Sequence, residues 1–118
     1  MKITVEGTGE LNRKLNSIPR KAKDGVKQEL MTVLFDLQGE SQRRAPIDTG
    51  ALRGSAFAEQ NGLEGTVGFT EIYALYQHEG VGFNHPKGGE AKYLENPFKQ
   101  RINRYINAIG NAVKRAVE

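Results

Sequence analysis

The sequence contains no cysteine. Disulfide frameworks and thiolate zinc sites are thereby excluded, and the absence suits a reducing compartment. Long apolar runs are missing as well. The start, MKITVEGTGEL, has no apolar signal-peptide core, and the longest apolar stretch, around LMTVLF, is far too short to cross a bilayer. The expectation is a chain made in the cytoplasm, neither secreted nor membrane-spanning. There is no Gly-x-Ser-x-Gly elbow and no phosphate loop. GVGFNHPKGG is glycine-rich but does not run from a strand into Gly-Lys-Ser/Thr. No cofactor is expected.

What remains is a polar chain of 118 residues, 37% hydrophobic and 26% charged, which fits one domain with a modest core. Net charge is +3, and its distribution is uneven. Residues 1–47 carry nine basic and six acidic groups, residues 48–92 three and six, and residues 93–118 five and two. Basic ends around an acidic middle give complementary surfaces, which can meet within one subunit or between subunits. The dense basic clustering with exposed aromatics of a dedicated nucleic-acid binder is absent. Most of the basic residues are expected on the solvated faces of helices.

The periodicity predicts an α+β chain. KITVEG reads as a short strand ending at Gly7, and Leu11, Leu15 and Ile18 recur at helical spacing. Between Lys21 and Arg44, the residues Val26, Leu30, Val33, Leu34 and Leu37 form one helical stripe. Pro46 stops that helix, because it pushes Ala45 out of the α region. Asn61-Gly62 sits between alternating segments and predicts a hairpin over roughly 52–60 and 63–70. Ile72, Leu75 and Tyr76 fit a short helix face ending near Gly80. Residues 80–92, with Gly80, Gly82, Pro86, Gly88 and Gly89, read as a flexible loop. A last helix near 97–117 carries Phe98, Ile102, Tyr105, Ile106, Ile109, Val113 and Val117. The expected architecture is one domain, residues 1–118, with the long amphipathic helix and the C-terminal helix packed on a small antiparallel sheet that has a central hairpin.

Two short motifs raise chemical possibilities. Asp48-Thr49-Gly50 is the signature triplet of retroviral-type aspartic proteases, in which two chains each supply an Asp and the pair shares a proton. In those enzymes the triplet follows an apolar strand, whereas here it follows GESQRRAP, a polar helix end. An Asp just after a helix can accept from amides two residues on, and Gly50 can then redirect the chain. Asp48, Thr49 and Gly50 are therefore expected to form a structural turn, with a homodimeric aspartic hydrolase through Asp48 as the alternative. The second motif, HEGVGFNH, places His78, Glu79 and His85 in one segment. The zinc-protease motif needs both histidines one helical turn apart, and the glycines between these two break that geometry. A looser metal site is conceivable, but polar anchoring of the loop is the plainer reading.

The ordered set of features resembles a family of small tailed-bacteriophage proteins of the neck, known as minor tail, head–tail joining or tail-completion proteins. The resemblance rests on Ala45, Pro46, Asp48, Thr49, Gly50, Leu52, Arg53 and Ser55, then on Tyr73, Ala74, His78, Glu79 and Gly80, then on Leu94 and Pro97. It implies a structural virion protein rather than an enzyme. Such a protein forms a ring with copies of itself, contacts connector or head-closure proteins on one side and tail-terminator or tail-tube proteins on the other, and lets DNA pass through its lumen without sequence readout. It implies assembly in the host cytoplasm and residence in the virion neck or tail. On this reading Arg53, Tyr73, His78, Glu79, Gly80, Phe83 and His85 are expected near an interface. Arg43, Arg44, Arg101 and Arg104 are candidates to line a lumen or meet phosphates. A general nucleic-acid-binding protein is the further alternative, recognisable by affinity that falls steeply with salt.

Overall fold

The computed structural model describes residues 1–5, 13, 17–47, 50–83, 85 and 87–118. Its long helix, α1, spans Arg20–Arg44. At about 1.5 Å per residue its 25 residues run about 37 Å. The stripe from Val26 to Leu37 is buried throughout. Five such side chains contribute on the order of 10 kcal/mol of gross apolar burial, before conformational entropy is set against it. The helix stops where the proline rule requires: Ala45 is extended at φ −64°, ψ 142°, and its N–H still reaches the Ser41 carbonyl at 2.9 Å.

Gly50, at φ 83°, leads into a single helical turn, α2, over Ala51–Gly54. The hairpin strand expected from residue 52 therefore begins later. Leu52 is buried in this turn, and β2 covers Ala56–Asn61. It returns as β3, Glu64–Phe69. Asn61 pairs directly with Glu64, so the two loop residues are Gly62 and Leu63, one place beyond the Asn-Gly expected at the turn. The N-terminal strand β1, Lys2–Val5, pairs with the other edge of β3, with Ile3 opposite Val67. The sheet order is β1-β3-β2, antiparallel throughout.

Helix α1 lies across this sheet. It comes close at Gly65, where a Cβ would sit 2.5 Å from a methyl of Leu34, so the bare glycine lets the helix seat on β3. The short helix α3, Ala74–Glu79, follows the sheet, and the final helix α4, Glu95–Val117, runs back along α1. Helix α4 starts two residues before the predicted position. Pro97 falls in its first turn, where a missing N–H costs no intrahelical bond.

The main core joins Leu30, Val33, Leu34 and Leu37 of α1 to Val67 and Phe69 of β3 and to Tyr93, Leu94 and Tyr105. A second cluster at the far end packs Val26 and Ala112 with Ile18, Leu63, Val113 and Ala116. Two members of the expected α4 stripe lie outside the core: Ile106 and Val117 are exposed. Among the described residues no helix is long and apolar enough to cross a membrane. The molecule is elongated, 51 × 22 × 20 Å, because two long helices set its long axis. The expected segment with Leu11 and Leu15 lies outside the described residues, as do Asp48 and Thr49.

Candidate functional site

The resemblance residues meet at one end of the molecule, where α1 stops. Arg53 points back from α2 to the end of α1. Its Nε donates to the Ala45 carbonyl at 2.8 Å and its Nη2 to the Arg43 carbonyl at 2.7 Å. Gln42 answers from α1, its side-chain amide donating to the Arg53 carbonyl at 3.0 Å. The last carbonyls of a helix have no intrahelical partner, so a guanidinium placed there satisfies them and suits the negative end of the dipole. Arg53, expected near an interface, thus ties α2 to the end of α1 within the subunit. In chain order the element before Asp48 is the helix α1 and not an apolar strand.

His78 is also engaged within the subunit. It is only 6% exposed, and both ring nitrogens are taken. The backbone N–H of Glu95, at the first position of α4, donates to Nε2 at 3.2 Å. A nitrogen that accepts from an amide is unprotonated, so the hydrogen-bond pattern assigns the ring proton to Nδ1, which donates to the Glu79 carboxylate at 2.9 Å. The ring stands edge-on to Tyr93 at 5.1 Å, and the Tyr93 hydroxyl donates to the Ala74 carbonyl at 2.5 Å. Burial pushes that hydroxyl's pKa well above its usual value, keeping it a donor. His78 therefore fastens α3 to the start of α4 and is not available as a surface ligand. Among the described residues no three His, Asp or Glu side chains could hold a metal ion.

Segment 80–92, expected as a flexible loop, is tied down at several points. Ile47 N–H donates to the Gly88 carbonyl at 3.2 Å, Glu90 N–H to the Arg44 carbonyl at 2.8 Å, and Lys92 N–H to the His78 carbonyl at 2.7 Å. Lys92 adopts φ 54°, unusual for a residue with a side chain, and its ammonium pairs with Glu79. The hydrogen bond from Lys92, then that from His78, holds the Glu79 carboxyl below its ordinary range.

The basic residues expected to face a lumen are mostly engaged by acids. Arg101 of α4 grips Asp36 of α1, with Nη1 at 3.0 and 2.7 Å from its two oxygens, and reaches Glu40 at 3.1 Å. Tyr105 donates to the same Asp36 at 2.6 Å. Arg44 pairs with Glu40 at 3.0 Å and approaches Glu90 at 3.8 Å, and Arg43 also pairs with Glu40. Arg101 is thereby a strut between α4 and α1, and Arg44 one between α1 and the 80–92 segment, while Arg43, 71% exposed, pairs within α1 itself. Arg104 remains exposed. The sequence did hold a signal for this network, since Asp36 and Glu40 lie four apart beside the α1 stripe and Arg101 and Tyr105 lie four apart on α4.

The structure does bring Tyr73, Phe83 and His85 together. They line a cleft of about 450 Å³ with Ile47, Tyr76 and Lys87. The Tyr76 and Phe83 rings meet at 4.8 Å, and Phe83 folds over Gly80, its N–H donating to the Gly80 carbonyl at 3.0 Å. His85 turns a buried Nε2 into this wall with no hydrogen-bond partner among the described residues. Around the cleft lies bare apolar surface: Ile72 is 96% exposed, Val81 76%, Tyr76 66% and Leu75 58%. The periodicity puts Ile72 and Leu75 on a packed helix face, but in the fold both are open to solvent.

Comparison of the chain with protein-family models, curated proteins and solved structures gave no match.

Proposed function

We propose that this chain is a structural subunit of the joint between head and tail in a long-tailed phage or prophage, working through protein–protein contacts and not through catalysis. One observation carries the reading: the bare apolar end formed by Ile72, Leu75, Tyr76, Val81 and the Phe83 cleft. Large exposed apolar side chains gathered in one stretch of a small polar domain, residues 72–83, point to a place where another protein packs. This end is also rigidly supported. Arg53 ties α2 to the end of α1, and His78 with Lys92 fixes the segment beside them. A preformed apolar end on an elongated body suits repeated head-to-tail contact, which closes into a ring when the rotation permits. The ordered resemblance of residues 45–97 to neck proteins supplies the partners: copies of this chain, connector or head-closure proteins, and tail-terminator or tail-tube proteins.

Electron microscopy of particles made without this protein tests the role. Full heads beside unattached tails are the expected result, with joining restored by the gene in trans. Normal virions in its absence would end the proposal.

A further inference from the structure

The tip of the hairpin carries a reactive pair of residues. Of the eight asparagines in the chain, only Asn61 is followed by a glycine. Asn61 ends β2 and is exposed, and Gly62 opens the two-residue loop at φ 62°. Nothing lies within 4 Å of where a Cβ on Gly62 would stand, so neither a side chain nor a neighbour crowds this point. Among the described residues, the Gly62 N–H donates to no acceptor and the Asn61 side-chain amide has no hydrogen-bond partner. The other described asparagines are guarded. Asn103, Asn107 and Asn111 lie inside α4, where the next N–H is committed to the helix ladder, and Asn96 precedes Pro97, which has no N–H. Asp24-Gly25, the comparable acidic pair, lies inside α1 and is committed in the same way.

A chemical change at this tip would be felt. Asn61 pairs directly with Glu64, and Glu59, Gln60 and Thr66 border the same surface. No Lys or Arg occurs between Arg53 and Lys87, so the hairpin holds no cation of its own to balance a further acid. Gln60 ties the tip to α1: its side-chain amide donates to the Lys27 carbonyl at 2.9 Å and to the Gly62 carbonyl at 3.0 Å. Leu63, the other loop residue, packs in the cluster of Val26 and Ala112.

We propose that Asn61-Gly62 is a site of spontaneous modification, at which the chain converts Asn61 to aspartate and isoaspartate. The backbone nitrogen of Gly62, on losing its proton, attacks Cγ of Asn61. The new N–Cγ bond closes a five-membered imide, the Cγ–Nδ2 bond breaks, and the side-chain nitrogen leaves as ammonia, carrying the amide proton. Water then opens the ring. Attack at Cγ leaves aspartate, and attack at the main-chain carbonyl carbon leaves isoaspartate, whose backbone runs through the β-carbon. The net change turns an amide and a water into a carboxylate and ammonium, with no change of oxidation state. Either product sets a carboxylate opposite Glu64, and like charges directly opposite destabilise an antiparallel pair. Isoaspartate also lengthens β2 by one backbone atom, which misaligns the pairing with Glu64 and the two Gln60 bonds. The damage begins at the Val26–Ala112 end of the molecule and not at residues 72–83, so the inference is independent of the joining role.

The test incubates the full chain at mildly alkaline pH, which favours loss of the Gly62 proton, and samples it over weeks by peptide mass spectrometry with fragmentation that separates aspartate from isoaspartate. Asn61 is expected to gain the mass of an acid over an amide at least tenfold faster than Asn103, Asn107 or Asn111, with isoaspartate the larger product. Gly62→Ala, whose methyl crowds the attack, converts at least tenfold more slowly than wild type. Because alanine is strained at φ 62°, Asn61→Gln serves as the second variant: its longer side chain would have to close a six-membered ring, and conversion at position 61 is lost. Converted protein, separated by ion exchange on its added charge, melts below wild type. Asn61→Asp, which adds the charge without the extra backbone atom, melts between the two. The proposal is overturned if Asn61 converts no faster than the asparagines of α4, if folded Gly62→Ala or Asn61→Gln converts at position 61 as fast as wild type, or if converted protein melts with wild type.

Discussion

Arg53 Nε lies 2.8 Å from the carbonyl of Ala45, a residue with no exposed surface. That hydrogen bond ties α2 back to the end of α1: Pro46 follows the stop of α1, Gly50 precedes α2, and the arginine returns to satisfy the carbonyls left at the helix end. Replacing Arg53 by Ala leaves a buried carbonyl without its donor. The expected cost is about 2–3 kcal/mol, for the loss of charge-assisted bonds to two carbonyls. Arg53→Lys recovers only part, because an ammonium lacks the planar fork that spans both acceptors. Urea midpoints of the three proteins measure this. A lysine variant as stable as wild type would remove the clamp.

Asp36 gives the fold a definite acid limit. Burial, the largest single effect on its carboxyl, pushes its pKa up. The Tyr105 hydroxyl bond and the Arg101 guanidinium together outweigh burial and leave the pKa below its ordinary 3.8. A carboxyl depressed in the folded state contributes stability above its unfolded pKa and loses that contribution as pH falls through the folded value. Wild type is therefore expected to exceed Asp36→Asn by a constant margin from neutral pH down to about 4.5, with the margin shrinking below about 4. Asp36 is 39% exposed at its side chain, so solvent screening keeps the margin near 1 kcal/mol or less. Denaturant titrations at several pH values follow it. A margin that widens on acidification would contradict the assignment.

The contrast between what the sequence disclosed and what it hid has a physical cause. The α1 stripe was legible because burial there follows from local periodicity: Val26, Leu30, Val33, Leu34 and Leu37 face inward on any helix packed along that side. The stop at Pro46 was legible for the same reason, since the proline acts on its own neighbour. Long-range partnerships were not. Nothing local says that Arg53 turns back to Ala45 and not outward, or that His78 caps a helix beginning at Glu95. Seventeen residues separate that pair, and the hydrogen bond exists only after α3 and α4 have docked. Ile72 shows the converse error, because an apolar residue at helical spacing reads as core unless the surrounding fold is known. Its 96% exposure depends on where α3 starts.

The 80–92 segment is held against Ala45 and Pro46 by the absence of a side chain. Gly89 has φ 100°, and a Cβ there would collide with the Cα and N of Pro46 and stand 2.8 Å from the Ala45 carbonyl oxygen. Backbone atoms cannot step aside as a side-chain tip can, and the positive φ adds strain of its own. Gly89→Ala should cost about 3 kcal/mol. Gly82→Ala in the same segment, where a Cβ meets nothing within 4 Å, should cost under about 1 kcal/mol. Thermal midpoints of the two variants compare them directly. Equal shifts would mean that the segment does not seat on Pro46.

The apolar end separates folding from assembly. Ile72 at 96% exposure and Val81 at 76% contribute almost nothing to the interior of a single subunit. Substituting both by Asp should change the unfolding free energy by no more than about 0.5 kcal/mol, the usual range for surface positions. At a protein interface the same two carboxylates would be desolvated without partners, which costs several kcal/mol at each interface and is multiplied around any ring. The expected phenotype is a folded, abundant protein that fails to restore virion yield to particles lacking the wild-type chain. Yield in trans and the melting temperature of the purified variant are the two measurements. Full complementation by Ile72→Asp/Val81→Asp would show that this end is not where the neighbouring protein packs, and the joining role would lose the observation on which it stands.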